Sequence, residues 1–379
     1  MAKKRVIVLG AGLVGGPMAL DLAKDDEYDV SITDIQQDKL NKFTGISNIQ
    51  TIQADLSQPL KVKELVGEFD FVLNAVPGFI GFQTVKAVIE AGRNIIDIAF
   101  FPENLFDLDE LAREKGVIAL SDIGVAPGMS NVLIGYADAQ LDRTTKAVIY
   151  VGGLPKIREW PYEYKAVFSP ADVLEEYTRP ARYIENGKEV IKPALSGSEL
   201  LNFKGVGTLE AFNSDGLRSL ATTISADFMI EKTLRYPGHI DIMKVLRYTG
   251  FFNKEEIELD GKKIRPLDFT SALLFPKWKL KEGDEDITIM KIEVEGIQDG
   301  QQKTYLWELY DEYDPESGIH SMARTTGYTA TMALRMVDKG LYTRKGMSAP
   351  EFIGSHPKCV EFLLKGLEER GVSYHQIPV

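Results

Sequence analysis

Val6-Ile7-Val8-Leu9-Gly10-Ala11-Gly12-Leu13-Val14-Gly15 decides the fold of this chain. A β-branched apolar run ends in G-x-G-x-x-G, and a helical pattern, Leu13–Lys24, follows at once. In that setting each glycine has a separate task. Gly10 makes the tight turn, Gly12 lets backbone approach a pyrophosphate, and Gly15 permits close contact between helix and strand. The unpaired N–H groups and positive dipole end of the helix suit phosphate, so Gly10, Gly12, Leu13, Val14 and Gly15 are read as cofactor-binding. In the next apolar run, Val30–Asp34, the closing acid lies 24 residues after Gly10. A carboxylate at Asp34 suits the two ribose hydroxyls of NAD and opposes the 2′-phosphate of NADP. The residues after it, Ile35-Gln36-Gln37, offer no arginine to that phosphate. The sequence therefore predicts a dinucleotide site preferring NAD over NADP.

Outward from this stretch, strand patterns recur at Ile49–Ala54, Phe71–Ala75, Ile95–Ile98 and Val117–Ser121. Helical patterns lie between them at Asp38–Phe43, Leu60–Gly67, Gly81–Ala91 and Leu105–Lys115. Strands alternating with helices predict an α/β fold, an N-terminal Rossmann doubly wound parallel sheet. Ligands lie at the carboxyl ends of such strands, which brings in Asn74, Ala75 and Val76 after the fourth and Asp55 after the third. Asp55 reads equally as an adenine contact or as a cap on the next helix.

Beyond residue 130 the texture changes. Helical patterns at Asn131–Gln140 and Pro170–Arg179 precede turn-bounded strands such as Ala147–Val151 and Ile287–Val294, and Gly261 closes a hairpin. This predicts an α+β second domain with a mixed, largely antiparallel sheet. Ser321–Asp338 reads as a long helix with a small-residue face, Thr326, Ala330, Ala333 and Val337, that returns to the first domain. The expected division is thus 1–130 with 318–379 as a discontinuous dinucleotide-binding domain, and 131–317 as a substrate-binding and dimerisation domain.

Bulk composition narrows the function. A net charge of −12 with acids spread along the chain opposes a nucleic-acid surface. A single cysteine, Cys359, excludes an intrachain disulfide and fits a reducing compartment. The start, Met1-Ala2-Lys3-Lys4-Arg5 before an apolar stretch, resembles a signal peptide, but glycines and Pro17 break that stretch, so a cytoplasmic protein is expected. No transmembrane helix is expected. Neither metal-ligand spacing nor a G-x-S-x-G elbow occurs, so neither a metal nor a serine nucleophile is expected.

At Ser121-Asp122-Ile123-Gly124-Val125-Ala126-Pro127-Gly128-Met129-Ser130-Asn131 the chain resembles the saccharopine dehydrogenase superfamily. The resemblance continues at Tyr164–Ser169, Leu209–Phe212, Thr233–His239 and Met322–Gly327 and spans nearly the whole chain. The Gly124–Met129 form looks most like the lysine 6-dehydrogenases of that group. Two departures put lysine in doubt. Asp97-Ile98-Ala99-Phe100-Phe101 stands where D-L-G-G is usual, and Asn213-Ser214-Asp215-Gly216-Leu217-Arg218 adds charge near the expected substrate wall.

The resemblance implies an NAD(P)-dependent amino-acid dehydrogenase, a homodimer, acting on a C–N bond. Lysine 6-dehydrogenase chemistry, lysine to 2-aminoadipate 6-semialdehyde, is the leading expectation. Reductive condensation of the saccharopine or carboxynorspermidine kind is an alternative, and a non-catalytic NAD-binding protein another. Such chemistry needs a cation for the substrate carboxylate, for which Arg235 is the first choice. Tyr236, Asn213 and Arg324 are further substrate-binding candidates. For the general base the residues leave four candidates open: Asp97, Asp122, Lys165 and His239.

Overall fold

The computed structural model describes residues 3–378, so Met1 and Ala2 of the basic N-terminal stretch, and Val379, lie outside the described residues. The first run forms β1 (Lys4–Leu9), and α1 (Gly15–Leu22) follows the glycine loop. Then come β2 (Tyr28–Asp34), α2 (Gln37–Asn41), β3 (Ile49–Gln53), α3 (Pro59–Val66), β4 (Phe71–Asn74) and α4 (Gly78–Glu90). The series closes with β5 (Asn94–Asp97), α5 (Asp109–Glu114) and β6 (Ile118–Leu120). The sheet order is β3-β2-β1-β4-β5-β6 with every pairing parallel, the doubly wound order predicted. Helices cover both faces, which is why β1 reads as a continuous apolar run. Ile7 and Leu9 enter one hydrophobic core, and Val6 and Val8 enter the other.

The rest begins with α6 (Met129–Asp138), β7 (Arg143–Pro155), α7 (Pro170–Thr178), β8 (Ala181–Glu185) and β9 (Lys188–Lys192). It continues through β10 (Glu199–Phe203), β11 (Gly207–Asn213), α8 (Leu220–Thr223), β12 (Phe228–Arg235) and α9 (His239–Thr249). Next are β13 (Ile257–Leu259), β14 (Lys262–Ile264), α10 (Pro266–Trp278), β15 (Asp286–Gln298) and β16 (Gln301–Glu312). In the β13–β14 hairpin Asp260 and Gly261 both take positive φ, 49° and 74°, as the expected tight turn requires. The chain ends in α11 (Ser321–Asp338), β17 (Gly346–Ser348), α12 (Pro350–Gly354), α13 (Pro357–Glu368) and β18 (Tyr374–Gln376). Among the described residues nine strands form the second sheet, in the path β10-β11-β12-β7-β15-β16-β18, with β8 paired to β12 and β9 to β8. Only β7 and β12 run parallel, so the sheet is mixed.

α11 ties the two sheets together. At its start Ser321 N–H and Met322 N–H donate to the Asp286 carboxylate of β15, at 2.7 and 3.0 Å. Further along, Gly327 lies against Val14 and Met18 of α1, where an added Cβ would meet Met18 Cγ at 3.3 Å. Thr331 then donates to Asp21 of α1 at 2.6 Å, and Arg335 donates to Asp21 and Asp25. The last segment supplies β17 to the edge of the parallel sheet and β18 to the edge of the mixed one. Among the described residues no helix is long and apolar enough to cross a membrane.

Candidate active site

The glycine loop is built as its spacing requires. Gly10 has φ 103°, and a Cβ there would sit 2.7 Å from Ala75 O. At Gly15 a Cβ would sit 1.9 Å from Gly10 O, so a larger residue cannot be accommodated. An added Cβ at Gly12 meets nothing within 4 Å, which leaves its backbone open to a ligand. No side chain caps the first turn of α1; Gly16 N–H donates to Gly12 O at 3.2 Å and Pro17 has no N–H, which leaves the loop ahead of the helix to meet phosphate. These residues fit a dinucleotide.

Asp34 lines the cleft beside the glycine loop. Its carboxylate accepts from Ala11 N–H at 3.1 Å and Gln36 N–H at 2.9 Å, and from Lys39 Nζ at 3.3 Å. It is thus bound into the loop and neutralised by a lysine, while Lys39 and Lys42 both line the adjoining cleft. Asp55 also lines the cleft and accepts from Ser57 N–H, the Ser57 hydroxyl and Gln58 Nε2 ahead of α3. Those bonds hold its carboxyl below the usual range.

The cleft occupies about 1720 Å³ between the two sheets. On the nucleotide side it is lined by Leu13, Val14, Ala75 and Val76 as well as the three glycines. Asn74 lies behind that wall, fully buried, and donates Nδ2 to Asp97 at 2.8 Å. Asp97 is sealed with it, accepts also from Ala99 N–H, and does not line the cleft. Burial, with Asp122 adding to it, pushes the Asp97 carboxyl up to about 7. Asp122 does line the cleft, but Arg218 neutralises it through two hydrogen bonds.

The opposite wall carries Glu176, Arg179, Glu231, Thr233 and Arg235. Residues 231, 233 and 235 alternate along β12 and share one face. Arg235 lies with its guanidinium 4.5 Å from the Tyr164 ring centroid and forms an ion pair with Glu176. Its Nε donates to the Tyr177 hydroxyl at 3.0 Å. Tyr177 lies 2.9 Å from Nε2 of His239, whose Nδ1 lies 2.8 Å from Tyr162 O. A carbonyl only accepts, so Nδ1 carries the proton and the Tyr177 hydroxyl donates to Nε2. Burial, reinforced by Arg235, drives His239 down to about 3, so it is neutral. It supports Arg235 from behind and does not line the cleft.

The remaining candidates stand apart from the cleft. Lys165 is buried and paired with Glu159 at 2.7 Å. Tyr236 donates to Pro155 O at 2.9 Å within an apolar cluster. Asn213 lines a separate hollow of about 720 Å³. Arg324 holds the C-terminal segment, bonding Asp311 and the carbonyls of Arg370 and Gly371. Conversely, Glu231, Glu176, Arg179 and Lys39 were not singled out from the sequence, and Arg218 entered only as charge near the expected substrate wall. The signal for Glu231 was present, since it precedes Arg235 by four on the same strand face.

Comparison with known proteins agrees with this architecture. Residues 124–372 match the family model of the saccharopine dehydrogenase C-terminal domain, and residues 6–120 match that of the saccharopine dehydrogenase NADP binding domain. The mitochondrial alpha-aminoadipic semialdehyde synthase of Mus musculus is 24% identical over 92% of this chain, which spans only 45% of that protein's length. The saccharopine dehydrogenase [NADP(+), L-glutamate-forming] of Pyricularia oryzae is 23% identical, covering 98% of each chain. A carboxyaminopropylagmatine dehydrogenase of Synechocystis is 25% identical over 98% of this chain and 97% of its own. Apo saccharopine dehydrogenase (L-Glu forming) from Saccharomyces cerevisiae shares the fold, with a TM-score of 0.80 at 19% identity, covering 99% of this chain and all of that one. The NADP-binding model and the NADP(+)-named relatives overturn the NAD preference drawn from Asp34. At the site itself the Asp34 carboxylate is paired with Lys39, so its charge is offset beside the cleft. Two adjoining family models together covering most of the sequence place this chain in the saccharopine dehydrogenase family.

Proposed function

We propose that the chain is an NADP-linked oxidoreductase that makes or breaks the C–N bond of a secondary amine built on an amino acid, a saccharopine-type reaction. One observation carries the reading: the glycine loop and the charged row of β12 face each other across a single cleft. A hydrocarbon substrate would not suit that wall, whereas a substrate bearing carboxylates and amines matches its buried charges. NADP⁺, when bound, supplies the acceptor for a hydride from the carbon next to nitrogen. The chain's own residues do the rest. Gly10, Gly12 and Gly15 hold the pyrophosphate, and Lys39 and Lys42 meet the 2′-phosphate. The Asp122–Arg218 pair fixes the far side of the cleft, while Tyr177 and His239 keep Arg235 in place.

Lysine 6-dehydrogenase is the second reading, favoured by the Gly124–Met129 block and by a cleft carboxyl, Glu231, that has no cationic partner among the described residues. The two readings separate in one assay. NADPH formed from saccharopine but not from lysine supports the first, NADPH from lysine alone supports the second, and silence with both sinks both. The same reading makes 1–130 with 318–379 the nucleotide-binding unit and 131–317 the substrate and dimerisation unit of a cytoplasmic homodimer. Sedimentation at twice the chain mass of 42.2 kDa is then expected.

A further inference from the structure

At the carboxyl edge of the parallel sheet, three buried polar atoms on adjacent strands have no partner among the described residues: Asn74 Oδ1, Asp97 Oδ2 and Ser121 Oγ. Asn74 and Asp97 are register partners across β4 and β5, and Ser121 lies one step past the Ile96–Leu120 pairing of β5 with β6. Two residues beyond Val72 and Ile95, Asn74 and Asp97 face the core under α4. Both side chains are fully buried. Asn74 Nδ2 donates to Asp97 Oδ1 at 2.8 Å, and Ala99 N–H donates to the same oxygen at 3.0 Å.

No cation meets the Asp97 carboxyl. The charged group acting on it is Asp122, from the segment after β6, and Arg218 holds that carboxylate in an ion pair. β4 and β6 bring only Asn74 and Ser121, and the first turn of α4, Gly78-Phe79-Ile80-Gly81, carries no charge. An ionised Asp97 is thus a buried charge without compensation, which is a costly state. Burial first, then Asp122, pushes this carboxyl up to about 7. One proton removes both faults. On Oδ2 it turns the carboxyl into a donor, and the amide oxygen of Asn74 is an acceptor in need of one.

The two side chains sit beneath two turns that face the cofactor. Ala75, Val76 and Pro77 follow Asn74, Ile98, Ala99 and Phe100 follow Asp97, and all six line the cleft. Ile98 N–H donates to Asn74 O at 3.1 Å, which stitches the turns together. Gly78 and Gly81 of α4 let the second turn approach, since added Cβ atoms would sit 2.3 Å from Phe100 O and 2.8 Å from Ala99 Cβ. Ala75 packs in turn on the glycine loop, where a Cβ on Gly10 would sit 2.7 Å from Ala75 O. A shift at Asn74 therefore reaches the pyrophosphate loop through one residue. In a doubly wound sheet β1–β3 serve one mononucleotide half and β4–β6 the other, which puts Asp97 under the nicotinamide half.

We propose that Asp97 is a positioning residue for the dinucleotide: as a protonated acid it donates from Oδ2 to the Asn74 amide oxygen, closing a two-bond pair that locks the turns after β4 and β5. The role rests on the reading of this cleft as the NADP site and goes beyond it, because it makes affinity depend on a proton held out of reach of the substrate. The anionic pyrophosphate bound over the same edge opposes a carboxylate there, so nucleotide binding and the proton reinforce one another.

The test measures the Kd of NADP⁺ for the full chain from about pH 6 to about pH 8.5, in wild type, Asp97→Asn and Asp97→Ala. Wild-type Kd is expected to rise about fivefold as the carboxyl ionises and the second bond is lost. Asparagine copies the protonated acid, with one acceptor and one N–H donor. Asp97→Asn should therefore match wild type at the acid end and bind more tightly than wild type at the alkaline end. Titration of the 2′-phosphate is common to both proteins and cancels in the comparison. Asp97→Ala should bind weakly throughout. Infrared difference spectra of nucleotide-free wild type against Asp97→Asn, at the acid end, should show a carboxylic acid C=O band. Parallel pH curves for wild type and Asp97→Asn overturn the proposal, as does an Asp97→Asn protein that binds weakly at both ends, or a missing acid band. Failure of the nucleotide reading looks different: wild type then binds no NADP⁺ at any pH while the acid band persists, and the positioning role falls with the site it serves.

Discussion

Arg218 closes a bidentate ion pair on Asp122, Nε to Oδ2 at 2.9 Å and Nη2 to Oδ1 at 3.2 Å, joining the parallel sheet to the loop after β11. Both residues hold left-handed backbone, φ 58° at Asp122 and 53° at Arg218, which costs about 1–2 kcal/mol each for non-glycine residues. The pair and the Arg218 Nη1 bond to Phe101 O hold that geometry in place. Replacing Arg218 by Met leaves Asp122 buried without its partner, and a loss of about 3–5 kcal/mol in urea unfolding is expected. Adding Asp122→Asn should recover part of it. Strict additivity of the two variants would contradict the pairing.

The nucleotide end makes its own prediction. Lys39 and Lys42 border the cleft beside Asp34. Lys39→Ala and Lys42→Ala should each weaken NADP⁺ binding by roughly fivefold, about 1 kcal/mol, with little change for NAD⁺. Fluorescence titration reads both, and equal losses for the two nucleotides would place the lysines away from the 2′-phosphate.

Gly15→Ala probes the loop itself. The new Cβ would lie 1.9 Å from Gly10 O, so the turn must open. Loss of measurable NADP⁺ binding and a lower Tm are expected, whereas Gly12→Ala, with nothing within 4 Å, should keep the Tm and weaken only the nucleotide. A Gly15→Ala protein that binds normally would refute the packing argument.

His239 links stability to acid. Its folded value of about 3 lies below the ordinary 6.5, so the unfolded chain takes up a proton first. The stability contributed by neutral His239 is complete above 6.5 and drains away as pH falls from there toward 3. His239→Gln should flatten that part of the stability curve, measured by urea midpoints at pH 7, 6 and 5. An unaltered slope would mean that His239 is charged in the fold.

The nucleotide half was legible because its signal is local: a buried strand, a glycine turn and a helix start occupy consecutive residues from Val6 to Leu22. The mixed sheet was less so. Glu199–Phe203 and Lys188–Lys192 carry no buried position, and only pairing with the neighbouring strands β11 and β8 makes them strands. On β12 the alternation of Glu231, Thr233 and Arg235 says that they share a face, but not that the face meets the cofactor cleft. A compact run, Arg235-Tyr236-Pro237-Gly238-His239, drew attention to Arg235, which lines the cleft. Its neighbour His239 belongs to the start of α9 and is linked to the cleft through Tyr177, which bonds Arg235. Asp97 and Asp122 both end strands at the carboxyl edge of the sheet, yet one turns into the loop behind Asn74 and the other into the cleft. The partners differ in reach: Asp97 is held by Asn74 and Ala99, while Asp122 is held by Arg218, which lies 96 residues farther along the chain.

The most direct test of the account is NADPH formation by the purified chain given NADP⁺ and saccharopine, with lysine in a parallel cuvette. The account predicts absorbance growing at the NADPH band with saccharopine, and little or none when NAD⁺ replaces NADP⁺. No NADPH with saccharopine or lysine, from protein that binds NADP⁺ and is folded, would contradict it.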